Sequence, residues 1–465
     1  MAREEKRKGR SGEGTGSDRD VEVQLVPTVQ FLHEHITEAL CDEVYKGVRR
    51  SERQRKWSLF ALARFWLFVI LEPPESLSQL LECTRRADPR GFLPRVAASA
   101  EAFFQKCRDF SSGFFMGLYH HFIERVFPQV PTEYCSEAQH LKGKFPEVVA
   151  IDGSRLEKTA HRLKICWSEQ AAILPGCITA VYDLFRGIAT QLWFDADAAS
   201  SEFKRGLVAV GGLRPGALVI GDRLYGVIQF FKALSDVECF GLFRRNQTVK
   251  IKKVRLLSRT ILPGATVEDW LVRAGTGKDA IQLRLIILRK GKKIYEAVTN
   301  VLDTKRLTAA DIVLLYPLRW RIERLFFDLK EVLNLKKFYA ANPNAVAMQV
   351  YAAAIVHTAF RIAQADIAQK IGLRAEELSP KKLFPHLAVV SMKVLQAEFY
   401  FEEMKKANPG VELRKPTWTN MPGATVSLRR IRVQKRSGDR KKNGYSEERR
   451  KWKTIVELNG GDVYA

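Results

Sequence analysis

Four side chains between positions 316 and 330 have types and a spacing that suit work on a phosphodiester. They follow the pattern Tyr-x2-Arg-x3-Glu-x6-Lys and are Tyr316, Arg319, Glu323 and Lys330. At about 100° per residue, the four fall within an arc of roughly 60° on a helix. A carboxylate can hold a divalent metal, and cations and a hydroxyl suit phosphate oxygens. The stripe therefore indicates a metal-dependent enzyme acting on a phosphodiester, with a solvated, salt-bridged helix face as the alternative.

The same segment carries an apolar strip that predicts how the helix is held. The strip repeats at i, i+4, i+7 and i+11, and its members are Ile322, Phe326, Leu329 and Leu333. This spacing predicts a half-buried helix with Glu323 near the edge of a cleft. Upstream, Thr308 and Asp311 have the spacing of an N-terminal capping box. Pro317 fits if it occupies the first turn of a new helix.

Two aspartates follow apolar runs that read as strands. The run VVAID ends in Asp152, and the run ALVIGD ends in Asp222. The segments around them predict, in order, a strand, a hairpin, a strand, a helix and a strand, at 148–152, 177–194, 217–222, 227–234 and 238–245. This order is close to that of a ribonuclease H-like α/β fold, in which the first and fourth strands are neighbours. Asp152 and Asp222 would then lie together, and Glu323 from a later helix could complete the set.

Three converging carboxylates repel one another unless cations lie between them. Two divalent cations about 3.5–4 Å apart would resolve the repulsion and create a reactive centre. Ligands that are all oxygen atoms favour Mg²⁺, with Mn²⁺ as a substitute. A single aspartate at a strand end is more often a cap or turn residue. The prediction of a metal site therefore depends on both aspartates and the 316–330 segment together.

With these motifs the chain resembles the DDE transposases of bacterial insertion sequences, in the insertion-sequence-four group. That group is marked by the Tyr-x2-Arg-x3-Glu-x6-Lys motif, and all four positions match. The local sequences AIDGS, GDRLYG and RWRIERLFFDLK are also typical of it. The resemblance covers roughly residues 145 to 365. It implies a ribonuclease H-like core with a β-strand insertion between the second acid and the glutamate, and residues 249–300 fit that insertion.

The resemblance also implies roles for individual residues. The catalytic acids that bind metal would be Asp152, Asp222 and Glu323. Contacts to the DNA backbone near the transposon end would come from Tyr316, Arg319 and Lys330, with Arg223 as a further phosphate contact. Some relatives hold a flipped base on an aromatic side chain, and Tyr295 is the nearest match. Trp320 is a second stacking candidate, although an aromatic in either place can equally be core. Leu224 stands where the family's pattern more often has glycine.

The composition supports a nucleic-acid partner. The 465 residues carry a formal net charge of +24, which implies a polyanion. A hydrophobic content of 46% supports a sizeable core. Residues 1–20 are polar and Gly-rich and predict a disordered segment without signal peptide or anchor. The apolar run 57–71 predicts a buried helix, too short to span a bilayer and ended by Pro73 and Pro74. Seven cysteines without a Cys-x-x-Cys pair indicate a reducing cytosol.

The chain divides into six predicted regions. They are a disordered N-terminus (1–20), a helical, DNA-end-binding region (21–145), a first part of the catalytic core (146–246), a β-strand insertion (247–300), a second part with the glutamate helix (301–371) and a helical C-terminal region with a basic tail (372–465). Between Arg429 and Lys453 the tail has twelve Lys or Arg residues against three acids. We interpret it as a nucleic-acid-binding arm, with a solvated charge run as the alternative.

The leading interpretation is a transposase that cuts and joins DNA at insertion-sequence ends by two-metal hydrolysis and transesterification. Its partners would be double-stranded DNA at terminal inverted repeats and target DNA, bound by a homodimer. The expected location is the bacterial cytoplasm, associated with the nucleoid and not with a membrane. Two alternatives stay open: a ribonuclease H-like nuclease without strand transfer, and a catalytically silent DNA-binding derivative of a transposase. The intact acids argue against the second.

Overall fold

The structure is a computed structural model. It describes residues 21–26, 28–48, 56–86, 92–156, 176–340, 342–414, 417, 419 and 421–433. The predicted disorder of residues 1–20 and most of the basic tail lie outside the described residues.

The centre of the fold is a mixed sheet of nine strands, in the order β4-β3-β2-β5-β6-β10-β9-β8-β7. Its strands are β2 (Val148–Arg155), β3 (Cys177–Asp183), β4 (Ile188–Asp195), β5 (Leu218–Gly221), β6 (Phe240–Arg244), β7 (Ile251–Leu262), β8 (Ala265–Ala274), β9 (Ile281–Lys290) and β10 (Lys293–Thr299). Strands β5 and β6 run parallel to β2, and the other pairs are antiparallel. The first core strand therefore lies between the second and the fourth, as the sequence predicts. The inserted strands β7–β10 continue the same sheet through β10, which pairs with β6.

Strand β2 is buried on both faces, which explains its unbroken apolar run. Val148 and Ala150 point into one hydrophobic cluster, and Val149 and Ile151 point into the other. Successive side chains point to opposite faces of the sheet, so this one strand packs against helices on both sides. Asp152 lies two residues after Ala150, so its side chain points to the same face of the sheet, toward the larger cluster.

Thirteen helices are described. They are α1 (Thr28–His35), α2 (Glu38–Val48), α3 (Leu59–Leu71), α4 (Leu77–Cys83), α5 (Ala100–Asp109), α6 (Gly113–Val126), α7 (Glu202–Val210), α8 (Ile228–Asp236), α9 (Ala309–Leu315), α10 (Arg321–Phe327), α11 (Pro343–Lys370), α12 (Pro380–Ala407) and α13 (Leu428–Ile431). Helices α7 and α8 cover the face of the smaller cluster. The remaining long helices pack on the other face, around α11.

Helix α3 shows how the predicted apolar run 57–71 folds. The hydroxyl of Ser58 accepts a hydrogen bond from the Ala61 N–H and caps the first turn. The helix ends at Leu71, just before Pro73 and Pro74, as predicted. Most of its side chains are buried, and it packs against α11.

Among the described residues, α11 is the one helix long and apolar enough to cross a membrane by composition. It is instead enclosed by the protein, because 94% of its most apolar 18-residue stretch is buried. A core helix of this length passes the same test as a membrane span.

The two ends of the described chain meet in a small second sheet. Strand β1 (Glu22–Gln24) pairs antiparallel with β11 (Thr425–Ser427), and helix α1 packs against α12. The hydroxyl groups of Thr28 and Ser391 lie 2.9 Å apart in the buried contact. The N-terminal and C-terminal helical regions therefore share one hydrophobic cluster.

The prediction of one regular helix for the 316–330 segment is wrong. A 3₁₀ turn (Tyr316–Trp320) leads into α10, and α10 leads into a π-helical turn (Asp328–Val332). Pro317 lies in the first turn of the 3₁₀ segment, as expected. The capping box of Thr308 and Asp311 is confirmed at the start of α9. The predicted apolar strip is buried, because its four members are at most 5% exposed.

Candidate active site

Asp152 and Asp222 are neighbours across two parallel strands. The register pairs Ala150 of β2 with Ile220 of β5, so the two aspartates stand at the same level two residues further on. Neighbouring strands lie about 4.8 Å apart. Asp222 follows directly after β5, and its Oδ1 accepts a hydrogen bond of 2.7 Å from the Leu224 N–H. The turn forms without a positive φ at Leu224, so it does not need the glycine of the family's pattern.

Arg319 lies between Asp152 and Glu323. Its Nη1 is 3.1 Å from Asp152 Oδ2 and 3.9 Å from Glu323 Oε1. Helix α10, which carries Glu323, packs against β2. The side chains of Asp152 and Glu323 are 17% and 30% exposed, so both reach the surface of a cleft. The structure therefore brings the three predicted acids to one edge of the sheet, with a protein cation between two of them.

The surroundings of Asp152 disfavour its charged form, mainly because the carboxyl group is buried. Burial raises the pKa of its carboxyl group to about 7, although Arg319 and the Gly153 N–H act in the opposite direction. The carboxylates of Glu202 and Asp222 raise this pKa further. The contact with Arg319 thus does not fully offset the effect of burial on Asp152.

The donor set fits a hard divalent cation, because it consists of carboxylate oxygens alone. Arg319 shows that Asp152 and Glu323 can share one cation. No group of three His, Cys, Asp or Glu side chains within the described part of the chain is already arranged around a metal position.

Lys330 lies at the end of β2 and not on an open surface. Its Nζ donates a hydrogen bond of 2.8 Å to Ser154 Oγ and another to the carbonyl oxygen of Arg155. Lys330 is 8% exposed. The π-helical turn brings Lys330 to β2 while Asp328, two residues earlier, faces Arg361 of α11. Arg319 lies beside Glu323, whereas Lys330 contacts the end of β2, so Lys330 does not share one open stripe with the other motif residues.

A pocket opens beside the acids and contains three of the predicted aromatic residues. Its polar and aromatic lining comes from Arg244, Tyr295, Glu296, Tyr316, Arg319 and Trp320. The Arg319 guanidinium stacks over the Trp320 ring at 4.2 Å from its centroid. The Nε of Arg319 is buried and has no hydrogen-bond partner. The pocket thus combines aromatic faces with the guanidinium of Arg319, whose Nε is buried without a hydrogen-bond partner.

Two of the site's residues were not found from the sequence. Arg244 ends β6 and lines the pocket, but a terminal arginine of a strand carries no distinguishing local signal. Glu202 begins α7, where an acidic residue is common because it suits the helix dipole. Arg223, which was predicted, is exposed and outside the pocket lining, and its carbonyl oxygen accepts a hydrogen bond from Asn246.

The comparisons with known proteins identify the central part of the chain. Residues 143–359 match the family described as transposase DDE domain. A putative transposase, y4zB, of Sinorhizobium fredii is 29% identical over 157 residues, which are 32% of this chain and 44% of that protein. A putative transposase for the insertion sequence element IS4SA of Synechocystis is 32% identical over 92 residues, 19% of this chain and 27% of that protein. The resemblance to DDE transposases of insertion sequences is confirmed.

The chain spans less than half the length of these two relatives. Among solved structures, a piggyBac transposase synaptic complex with hairpin DNA aligns with 83% of this chain and 82% of its own chain. The TM-score is 0.39 and the sequence identity is 11%.

Proposed function

We propose that the chain is an insertion-sequence transposase that cuts DNA at the ends of its element and joins those ends to target DNA. The observation that carries the proposal is the placement of Asp152 beside Asp222, with Glu323 one guanidinium group away. The match of residues 143–359 to a transposase DDE domain and the net charge of +24 support it.

The strand order supports a ribonuclease H-like core. In that interpretation β2–β6 with α7 and α8 form the first part of the core, and α10 and α11 belong to the second part. Strands β7–β10 are the insertion between the second acid and the glutamate. The helical region 21–145 reads the end sequence, because helices fit the major groove of DNA.

Asp152, Asp222 and Glu323 are the residues that would hold the divalent cations, Mg²⁺ or Mn²⁺. Bound there, the cations would activate the attacking water or hydroxyl and stabilise the leaving oxygen. The two aspartates hold their oxygens at the edge of the sheet, and Glu323 supplies an oxygen from the helix. Arg319, displaced from Asp152, is then free to contact a DNA phosphate through Nη1 and its available Nε.

The pocket supports the binding of one nucleotide. The rings of Tyr295, Tyr316 and Trp320 offer stacking faces, and Arg319 and Arg244 offer donors for a phosphate or a base edge. Lys330 has a different part in this proposal, because it holds the end of β2 that follows Asp152. Arg223 remains exposed for a contact to the DNA backbone.

The partners follow from the reaction. The chain would bind double-stranded DNA at terminal inverted repeats as a homodimer, so that both ends are held together, and then bind target DNA. The basic tail would add attraction that does not depend on sequence. The protein would be located in the bacterial cytoplasm, associated with the nucleoid.

An assay with the element's own ends tests this function. The purified full chain is incubated with Mg²⁺, a DNA duplex carrying an inverted repeat from the flank of its gene, and a target plasmid. Cleavage at the repeat followed by joining to the plasmid is expected. Cleavage without joining would favour a nuclease without strand transfer. Binding to the repeat without cleavage would favour a catalytically silent DNA-binding derivative.

A further inference from the structure

Glu202 lies against the residue that follows Asp152. A methyl group placed on Gly153 would be 2.6 Å from the Oε2 of Glu202. Real Cβ atoms do not approach so closely, so only glycine at position 153 admits the glutamate there. The Gly153 N–H donates to Asp152 Oδ1 at 3.0 Å, and the same N–H also acts on the carboxylate of Glu202. Glu202 and Asp152 therefore approach one backbone group.

Tyr225 holds Glu202 in this position. Its hydroxyl donates a hydrogen bond of 2.9 Å to Glu202 Oε1. The ring is fully buried and packs against two further glycines, because a Cβ on Gly206 or Gly221 would come within 2.6 or 2.8 Å of it. A rigid, buried ring thus directs one hydroxyl at one carboxylate oxygen and leaves the other oxygen beside Gly153.

The charges around Glu202 make a purely structural role costly. It forms no salt bridge among the ion pairs of the described residues, and Asp152 and Asp222 are acids of the same sign nearby, with Arg319 as the cation that acts on Glu202. Burying carboxylates beside one another is unfavourable unless a cation compensates them. A glutamine would accept the Tyr225 hydrogen bond equally well, so the hydrogen bond alone does not call for a charged side chain.

We propose that Glu202 is a fourth carboxylate of the acidic site and binds the divalent cation together with Asp152 and Asp222. Tyr225 is its positioning residue. The inference rests on the proposed function, and it adds a residue that the Asp152, Asp222 and Glu323 set does not contain. It also gives a reason for Tyr225 and for three glycines: Gly153 lies in β2, Gly221 ends β5 and Gly206 lies in α7.

The test is titration of Mn²⁺ into the full chain without DNA, followed by calorimetry. Glu202→Gln keeps the shape and the Tyr225 hydrogen bond but loses the charge, and it should weaken Mn²⁺ binding by at least about tenfold. Tyr225→Phe keeps the charge and should weaken binding less. Asp236→Asn, which removes one exposed carboxylate from neighbouring α8, is the matched control and should bind as the wild type does.

Thermal melting reports whether each variant is folded. If Glu202→Gln does not fold, Glu202→Asp, which keeps the charge but shortens the side chain, replaces it and should weaken Mn²⁺ binding. Wild-type affinity in a folded Glu202→Gln or Glu202→Asp variant overturns the inference. If Asp152→Asn weakens Mn²⁺ binding while Glu202→Gln does not, only the fourth ligand is refuted. If the wild type binds no Mn²⁺ at all, the proposed function itself fails.

Discussion

The guanidinium of Arg319 is bonded to the carboxylate of Asp152, with Nη1 3.1 Å from Oδ2. Arg319 is therefore paired with Asp152, which would bind metal together with Glu323 in the proposed site. We expect a divalent cation at Asp152 to compete with this guanidinium, and its displacement would leave Nη1 of Arg319 to contact a DNA phosphate. Cation binding and DNA engagement would then be coupled.

Replacing Arg319 tests this coupling. Arg319→Ala removes a competing positive charge, so Mn²⁺ should bind at least as tightly as in the wild type. Cleavage of end DNA should fall by at least about tenfold, because a contact to phosphate is lost (on the order of 1–3 kcal/mol). Calorimetry and a cleavage time course measure the two effects. Lys336→Ala, which removes an exposed partner of Glu331, is the control. A loss of Mn²⁺ affinity in Arg319→Ala would contradict the competition.

Lys330 should matter for stability. Its ammonium group is largely buried and bonded to Ser154 Oγ and to the carbonyl oxygen of Arg155, so Lys330→Ala removes two hydrogen bonds from partly buried acceptors. We expect a loss of about 1–3 kcal/mol in the free energy of unfolding, measured by urea denaturation. Lys370→Ala removes an exposed ion pair with Asp366 and should cost less than about 1 kcal/mol. Equal effects of the two substitutions would show that the Lys330 contacts are not formed.

The π-helical turn depends on a buried acid. Asp328 is fully buried, and its Oδ2 is 3.3 Å from Arg361 Nη2 and 3.7 Å from His357 Nε2. Asp328→Ala leaves the Arg361 guanidinium buried without its carboxylate, which should cost about 3–5 kcal/mol. Urea denaturation again measures the change. A stable Asp328→Ala variant would mean that local sequence alone maintains the turn.

Asp311 predicts a dependence of stability on pH. Burial alone would raise the pKa of its carboxyl group, but hydrogen bonds from the His140 ring and the Thr308 N–H bring it to about 2. Because this value is below the unfolded value of about 3.8, the contribution is present above pH 4 and is lost as the pH falls toward 2. It amounts to about 2 kcal/mol. Urea unfolding at a series of pH values should show a smaller acid loss for Asp311→Asn than for the wild type. An equal loss of unfolding free energy in acid for Asp311→Asn and the wild type would contradict the low pKa of Asp311.

The sequence predicted the parts of the site that local pattern controls. Apolar runs placed Asp152 and Asp222 after buried strands, and their order predicted that the two strands are neighbours. Thr308 and Asp311 are three residues apart, and this spacing lets their side chains form the capping contacts. In each case, residues close in sequence determine the outcome.

Long-range contacts explain what the sequence did not predict. In the π-helical turn, Asp328 pairs with Arg361, which lies 33 residues later. Glu202 looks like an ordinary helix-starting acid until the fold brings it to Gly153. The pairing of β1 with β11 joins segments about 400 residues apart, such as Val23 with Val426. Periodicity within a short window contains no information about such pairs.

The most direct test of the central claim is cleavage of end DNA in Mg²⁺ by variants of the three acids. Asp152→Asn, Asp222→Asn and Glu323→Gln are compared with the wild type and with the exposed-acid control Asp236→Asn, and DNA binding is measured in parallel. Each of the three variants should lose cleavage while retaining DNA binding, because each loses a metal ligand and not a phosphate donor. The control should cleave as the wild type does. Substantial cleavage by any one of the three variants would contradict the assignment of the site.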